Sequence, residues 1–183
     1  MCIETVNQNG LALGYVPEKW KTEELCFEAV RKAGLTLVHV PKVLKTEKIC
    51  HEAVNQNGLS LRYVPDESKA EKLCHDAIRK NGRSLKFVPD TLKTEAICFE
   101  AVKLNGWALR YVPHEMRTEK ICLESVRNNG LSLGDVPEAV KTEEICLEAL
   151  RENKNAIRYV PDHLRDKILA ALQDEEEDCG PRP

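Results

Sequence analysis

Residues 46–69 read TEKICHEAVNQNGLSLRYVPDESK, and this 24-residue pattern recurs through most of the chain. Its most regular feature is the dipeptide Val-Pro, which returns every 24 residues without a slip. The valines of these dipeptides are Val16, Val40, Val64, Val88, Val112, Val136 and Val160. A fixed period of this kind is typical of arrays in which one supersecondary unit is stacked in tandem. The sequence therefore predicts a repeat protein in which each unit contacts mainly its neighbours.

The boundaries of the array follow from the pattern. We assign residues 1–21 to a partial repeat and residues 22–165 to six full repeats. Because a stacked array must be capped at its ends, we expect residues 166–173 to form a C-terminal capping helix. Residues 1–172 then make up a single repeat domain. Residues 174–183 are acidic and end in Gly-Pro-Arg-Pro, and we expect them to form a disordered tail.

The first half of each repeat has the pattern of an amphipathic α-helix. In the copy that begins at Thr142, the threonine is a good N-cap, since its hydroxyl can accept a hydrogen bond from a first-turn amide. The apolar residues of this copy share one helical face and are Ile145, Cys146, Ala149 and Leu150. Several copies end in Asn-Gly, as at Asn57-Gly58. We expect this glycine to adopt the left-handed conformation that ends many helices.

The second half of each repeat allows two interpretations. Alternating apolar residues such as Leu59 and Leu61 could form a strand, which would give an α/β solenoid with one short strand per repeat. The positions that stay apolar, however, are those of Leu109, Val112 and Met116, apart from Ser68 at the last of these, and this spacing is helical. Pro113 is compatible with a first helical turn. We therefore expect an all-α solenoid or superhelix of 24-residue helix–turn–short-helix units, with the α/β solenoid as the alternative.

Cysteine usage indicates buried thiols and not a disulfide framework. Seven of the eight cysteines share one repeat position: Cys2, Cys26, Cys50, Cys74, Cys98, Cys122 and Cys146. Packed helices lie about 8–10 Å apart, which exceeds the roughly 7 Å Cα separation that a disulfide allows. No C-x-x-C pair is present to suggest zinc. Free thiols in this number are typical of a reducing compartment, so we expect a cytoplasmic protein.

Charge and motif content exclude several classes of function. The net charge of −3 argues against nucleic-acid binding, which usually requires a basic excess. No segment is long and apolar enough for a membrane span, and we expect no signal peptide. No nucleophile, metal or phosphate-loop motif is present, so we expect no enzymatic activity, no metal site and no cofactor. His51 and His75 lie one repeat apart, too far to ligate one metal ion together.

Two sets of side chains are candidates for surface contacts. An acidic helix position is followed three residues later by a basic one, as in Glu148 and Arg151, and we expect surface ion pairs there. The position of Phe27, Phe99, Leu123 and Leu147 lies off the predicted core face, and a row of these residues could form an exposed apolar stripe.

Basic and aromatic residues are adjacent in the second half of several repeats. Arginine and aromatic residues dominate binding hot spots, and we expect a groove wall for a protein or peptide partner to be formed by Arg62, Tyr63, Lys86, Phe87, Trp107, Arg110 and Tyr111. A single-stranded nucleic acid is the alternative partner, because aromatic and basic side chains can also stack and neutralise such a strand. A third possibility is a structural array that self-associates through its N-terminal repeat end.

The string Asn-Gly-x-Ala/Ser-Leu-x-Tyr-Val-Pro, followed by Lys-Thr-Glu-x-Ile-Cys-x-Glu-Ala-Val, resembles a bacterial tandem-repeat family known as a domain of unknown function. The resemblance covers roughly residues 1–172. It implies an α-repeat module of bacterial and bacterial-effector-like proteins that serves in protein contact. It implies no catalytic residues.

Overall fold

The computed structural model describes the backbone of residues 2–178 and the side chains of residues 4–6 and 8–173. These residues form α-helices, 3₁₀ helices and turns, and no strand occurs among them. The α-helices are α1 (Cys2–Gln8), α2 (Glu23–Lys32), α3 (Glu47–Gln56), α4 (Glu71–Lys80), α5 (Glu95–Leu104), α6 (Glu119–Asn128), α7 (Glu143–Glu152) and α8 (Asp162–Asp178). The prediction of an all-α repeat solenoid is confirmed.

Each α-helix up to α7 is followed by a six-residue 3₁₀ helix, which we call the long 3₁₀ helix of the repeat. These helices are Gly10–Tyr15, Gly34–His39, Gly58–Tyr63, Gly82–Phe87, Gly106–Tyr111, Gly130–Asp135 and Lys154–Tyr159. Up to residue 140 a three-residue 3₁₀ helix then follows the Val-Pro dipeptide. These short helices are Glu18–Trp20, Lys42–Leu44, Asp66–Ser68, Asp90–Leu92, His114–Met116 and Glu138–Val140. The predicted short bent helix is thus two separate 3₁₀ helices, because Val-Pro adopts an extended conformation between them.

Threonine is the N-cap residue of α2, α3, α6 and α7. Its side chain makes the capping hydrogen bond in only some of these copies. The Thr22 hydroxyl accepts a hydrogen bond from the amide of Leu25 at 3.2 Å, and Thr142 accepts from Ile145 at 3.4 Å. Thr46 makes no capping bond, because its hydroxyl donates to the Glu23 carboxylate of the preceding repeat at 3.3 Å. The cap position therefore also links neighbouring repeats.

The Asn-Gly dipeptide does not end the helix as predicted. No glycine of the described residues has a positive φ. Asn57, with φ −153°, ends α3, and its side chain accepts a hydrogen bond from the amide of Leu59 at 3.0 Å. Asn57 thereby caps the following 3₁₀ helix. The prediction of a left-handed conformation at Gly58 is therefore wrong.

Glycine is required at this position by close packing between repeats. A Cβ added to Gly58 would lie less than 3.0 Å from the backbone carbonyl oxygen of Ala77, in the α-helix of the next repeat. The same conflict with the next α-helix arises at Gly10, Gly34, Gly106 and Gly130. Because a backbone carbonyl in a helix cannot move aside on its own, glycine sets how closely two repeats can stack.

The core lies between the α-helices and the long 3₁₀ helices. Within Met1–Ala101, α3 packs against Gly34–His39 of the preceding repeat and Gly58–Tyr63 of its own repeat. The fully buried side chains of one repeat are Ile49, Cys50, Ala53, Val54 and Leu61. The long 3₁₀ helix Gly34–His39 thus supports the α-helix that follows it in the chain, and Gly106–Tyr111 contacts α6 in the same way.

The predicted ladder of free, buried thiols is confirmed for Cys26, Cys50, Cys74, Cys98, Cys122 and Cys146. Burial raises the thiol pKa of the last four of these to about 11. It also raises the pKa of Cys26 and Cys50. The side chain of Cys2 and the whole of Cys179 lie outside the described residues. The six thiols therefore act as small apolar core residues.

The backbone divides into two compact units, Met1–Ala101 and Val102–Pro183. In the second unit α8 packs against α7, and Ile168 is buried. This helix begins before the predicted capping helix 166–173, because no proline, glycine or threonine interrupts residues 162–178. Its backbone includes residues 174–178, for which the sequence predicts a disordered tail. Residues 179–183 lie outside the described part.

Candidate functional site

The long 3₁₀ helix exposes the same two positions in successive repeats. In Gly58–Tyr63 the first, third and fourth residues are buried, whereas the second is half-buried and the fifth is exposed. Residues three apart are eclipsed on a 3₁₀ helix, so the second and fifth side chains lie on one edge. We call this edge the 3₁₀ face. It comprises Leu11, Gly14, Leu35, Val38, Leu59, Arg62, Arg83 and Lys86 in the first unit, and Trp107, Arg110, Leu131, Gly134, Asn155 and Arg158 in the second.

Four of the predicted binding residues lie on or beside the 3₁₀ face of the first unit. The Arg62 guanidinium lies 5.6 Å from the centre of the Tyr63 ring, and the Lys86 ammonium lies 5.9 Å from that of Phe87. Both cations are exposed and both rings are half-buried. Their two helices are in contact. The structure therefore brings these four residues together as adjacent cation–aromatic pairs.

The other three predicted residues lie in Gly106–Tyr111 of the second unit. The Arg110 guanidinium lies 5.0 Å from the centre of the Trp107 ring. It also donates to the carboxylate of Asp135 at 3.2 Å. Tyr111 is half-buried beside this pair. Asp135 occupies the position that is aromatic in most repeats, so Arg110 is already neutralised within its own unit.

The basic residue that precedes each threonine cap has a structural role that the sequence interpretation missed. Lys21 donates to the carbonyl oxygen of His39 at 2.8 Å, and Lys45 donates to that of Tyr63 at 2.7 Å. Each bond reaches 18 residues ahead, to the end of the next long 3₁₀ helix. Burial lowers the pKa of Lys45. The sequence signal for this role was the Lys or Arg that every copy carries at this position.

In the second unit this link between repeats is made by Lys141 and Arg117. Lys141 donates to the carbonyl oxygen of Tyr159 at 3.0 Å. Arg117 donates to three carbonyl oxygens, those of Val112 at 3.0 Å, Asp135 at 2.8 Å and Arg110 at 3.3 Å. These cations hold neighbouring repeats together, so they are not available to a ligand.

The expected ion pairs on the α-helices form both within and between repeats. Arg31 pairs with Glu28 at 2.7 Å, and Arg151 pairs with Glu148 at 2.6 Å. Arg127 reaches the same Glu148 from the preceding repeat at 3.0 Å. The hydrogen bond from Arg127 is the main cause of the lowered pKa of Glu148. The charges of these five side chains therefore satisfy one another.

His51 and His75 contact separate carboxylates. His51 lies 3.7 Å from Glu47, whereas His75 lies 3.4 Å from Glu100 and 3.9 Å from Glu71. Among the described side chains, no group of three or more His, Cys, Asp or Glu is placed to hold a metal ion.

The apolar residues on the α-helices do not form an exposed stripe. The side chains at this position are half-buried, namely those of Phe27, Phe99, Leu123 and Leu147. The Lys48 ammonium lies 4.4 Å from the centre of the Phe27 ring and shields it. The exposed apolar side chains instead lie mainly in the first two repeats, and include Leu11, Tyr15, Trp20, Leu35, Val38 and Val43.

Comparison with known families identifies the repeat. The family described as a domain of unknown function, DUF4116, matches in four segments, at residues 1–45, 22–69, 71–117 and 118–165. Comparison with curated proteins and with solved structures gave no significant match. Among the described residues, no helix combines the length and apolar character required to cross a membrane. The matched segments span nearly all of the repeat array, so the chain belongs to the DUF4116 family.

Proposed function

We propose that this chain is a non-catalytic scaffold that binds another protein or a peptide through its 3₁₀ face. The observation that carries the proposal is where the repeats differ. The fourth position of the long 3₁₀ helix is a buried leucine in six copies and the half-buried Ile157 in the seventh. The second position varies among Leu, Arg, Trp and Asn, and the fifth among Gly, Val, Arg and Lys. One backbone thus presents six different pairs of side chains in seven repeats, because only Leu11/Gly14 and Leu131/Gly134 are the same.

The composition of the face supports a protein partner. Arg62, Trp107 and Arg110 are of the residue types that dominate protein interfaces, and each takes part in a cation–aromatic contact. Such contacts pre-order a long side chain and reduce the entropy lost on binding. The groove wall predicted from the sequence is part of this proposal.

Two further features support a scaffold over an enzyme. Repeats place equivalent residues along a row, whereas catalysis needs different groups that converge on one point. The titratable groups with raised pKa values are buried thiols that serve the core. We also propose a bacterial origin and a reducing cytoplasmic location, which the unbridged thiols and the family resemblance support.

Affinity capture from a lysate of the source organism tests this proposal. The baits are the wild type, a face variant (R62E, K86E, W107A, R110E) and a control variant (K72E, K80E) whose changes lie on exposed α4 positions. We expect a protein that the wild type and the control retain and the face variant loses, followed by direct binding of that purified protein. Capture that the face variant leaves unchanged would contradict the proposal.

The same baits separate the alternatives that the sequence left open. Salt-dependent retention of single-stranded RNA or DNA, lost in the face variant, would identify a nucleic-acid-binding repeat instead. A molar mass that rises with protein concentration in light scattering, without any captured partner, would identify a self-associating array.

A further inference from the structure

The 3₁₀ face of the first unit changes its chemistry along the array. Its first two repeats present exposed apolar side chains, with Leu11 at 51%, Leu35 at 38% and Val38 at 44% exposure. Its third and fourth repeats present the exposed cations Arg62, Arg83 and Lys86. The face therefore has an apolar end and a cationic end within Met1–Ala101.

These two ends belong to one continuous surface. The four long 3₁₀ helices of the unit contact one another in chain order, from Gly10–Tyr15 to Gly82–Phe87. Packed helices lie about 10 Å apart, so four of them span about 30 Å. A ligand covers that distance with about nine extended residues or with about 20 residues of α-helix.

Two of the cations at this end, Arg62 and Arg83, lack carboxylate partners of their own among the described residues. Within the described residues, no carboxylate lies in ion-pair range of Arg62 or Arg83, whereas Arg31 and Arg79 on the α-helices are paired with Glu28 and Glu100. The only ring or charge contact described for Arg62 is with Tyr63. An unpaired, exposed guanidinium can bind a carboxylate in a bidentate arrangement without first breaking an internal bond.

Two carboxylates that line the same surface depression as Arg62 already have cationic partners. Asp66 pairs with Lys69 at 2.7 Å, and Glu67 pairs with Lys42 at 3.0 Å. The hydrogen bond from Lys69 lowers the pKa of Asp66. The pKa of Glu67 is also lowered, first by a hydrogen bond from its own backbone amide and then by one from Lys42. The positive charge of Arg62 is therefore available to an external group.

We propose that the 3₁₀ face of the first unit binds a peptide segment that carries apolar side chains at one end and acidic side chains at the other. This inference rests on the proposed scaffold function and names its partner. The apolar side chains of the segment contact Leu11, Leu35 and Val38, and its carboxylates pair with Arg62 and Arg83. The phosphates of a nucleic acid could bind to the cationic end, but the apolar end has no cation that would bind them.

The test is a selection of displayed random 20-residue peptides on the immobilised full chain. Enriched peptides should contain a cluster of Leu, Phe, Met or Trp and a separate cluster of Asp and Glu. The strongest one, synthesised with a fluorescein label, should bind the wild type in a polarisation assay with an affinity that falls as salt increases.

Variants then locate the two ends of the bound peptide. R62E/R83E should weaken binding of this peptide at least tenfold, which corresponds to about 1.4 kcal/mol, and L35S/V38S should do the same. All four positions are exposed, so these variants should retain the circular dichroism spectrum of the wild type. K72E/K80E changes the net charge by the same amount and should leave the affinity within about twofold, because a surface charge away from the site is screened.

Three results would overturn the inference, and they are distinguishable. If the enriched peptides lack acidic clusters, or if R62E/R83E binds them as well as the wild type, the partner chemistry is wrong, although the scaffold proposal stands. If no peptide is enriched over an empty support, the peptide inference fails, and affinity capture with the face variant decides the scaffold proposal separately. If a fluorescein-labelled 20-nucleotide uridine RNA binds more tightly than any peptide and R62E/R83E abolishes this binding, the face is a nucleic-acid site.

Discussion

Replacing Gly58 with alanine tests whether glycine sets the spacing between repeats. The added Cβ would lie less than 3.0 Å from the carbonyl oxygen of Ala77 and 3.0 Å from the Cβ of Lys80. Both atoms belong to the body of α4, so the two repeats must move apart. Overpacking of this kind usually costs about 1–3 kcal/mol.

The backbone conformation of Gly58 decides what a stabilising or a destabilising effect of G58A would mean. Its φ is not positive, so alanine is compatible with the backbone there. Without the contact to α4, G58A would stabilise the protein by about 0.4–1 kcal/mol, because alanine reduces the entropy of the unfolded chain. Because of the contact with α4, we instead expect G58A to lower the free energy of unfolding by about 1–2 kcal/mol.

Urea unfolding followed by circular dichroism measures the effect, and G14A is the matched control. A Cβ on Gly14 would meet the imidazole of His39 at 3.0 Å, which is an exposed side chain that can turn away. We expect G14A to be as stable as the wild type or slightly more stable. A G58A variant of equal or higher stability than the wild type would refute the packing argument.

Two other substitutions and two tests of the thiols probe the core and the links between repeats. The buried Ser84 hydroxyl has no hydrogen-bond partner in the described part of the chain, so S84A should leave the urea midpoint unchanged or raise the stability by up to about 1 kcal/mol; a loss would contradict this. K45M keeps the aliphatic stem but removes the bond to the Tyr63 carbonyl, and should cost about 1 kcal/mol in the same assay, whereas no change would mean that the bond contributes nothing. The thiol of Cys98 has its pKa raised to about 11 from an ordinary 9.0. The folded chain keeps this proton when the unfolded chain has lost it, so stability should decline as pH rises from about 9 towards 11. Iodoacetamide at pH 8 should label the buried thiols only after unfolding, and rapid labelling of the native protein would contradict their burial.

The sequence predicts the α-helices well because their determinants are local. Thr142 as an N-cap and the apolar face that includes Ile145 and Ala149 act within one or two turns of helix. The free thiols were predictable for a related reason, since a residue at the same position of successive repeats cannot approach its own copy closely enough for a disulfide.

Features that depend on the neighbouring repeat were predicted incorrectly or missed. Gly58 was interpreted as a left-handed cap, because the sequence does not show that its α-hydrogen faces the carbonyl of Ala77. The structural role of Lys45 was missed, because its partner lies 18 residues ahead in the chain. Both errors have the same cause, since the distance between stacked repeats is not encoded in the period.

The composition of the 3₁₀ face was predicted in part. Arg62, Lys86 and Trp107 were identified by residue type alone, and the structure places them on the 3₁₀ face. Leu35 and Val38 were missed, because leucine and valine in an apolar pattern suggest core residues. Only the eclipsed geometry of a 3₁₀ helix shows that these positions face outward.

Paramagnetic broadening from a bound peptide tests most directly whether the 3₁₀ face is the binding surface. A selected peptide would carry a nitroxide at its apolar end, and the spectra would be recorded on methyl-labelled full chain. We predict the strongest broadening at the exposed methyl groups of Leu35 and Val38, with little effect at Leu123 and Leu147 on the α-helices. Broadening centred on Leu123 and Leu147, with Leu35 and Val38 unaffected, would contradict the account.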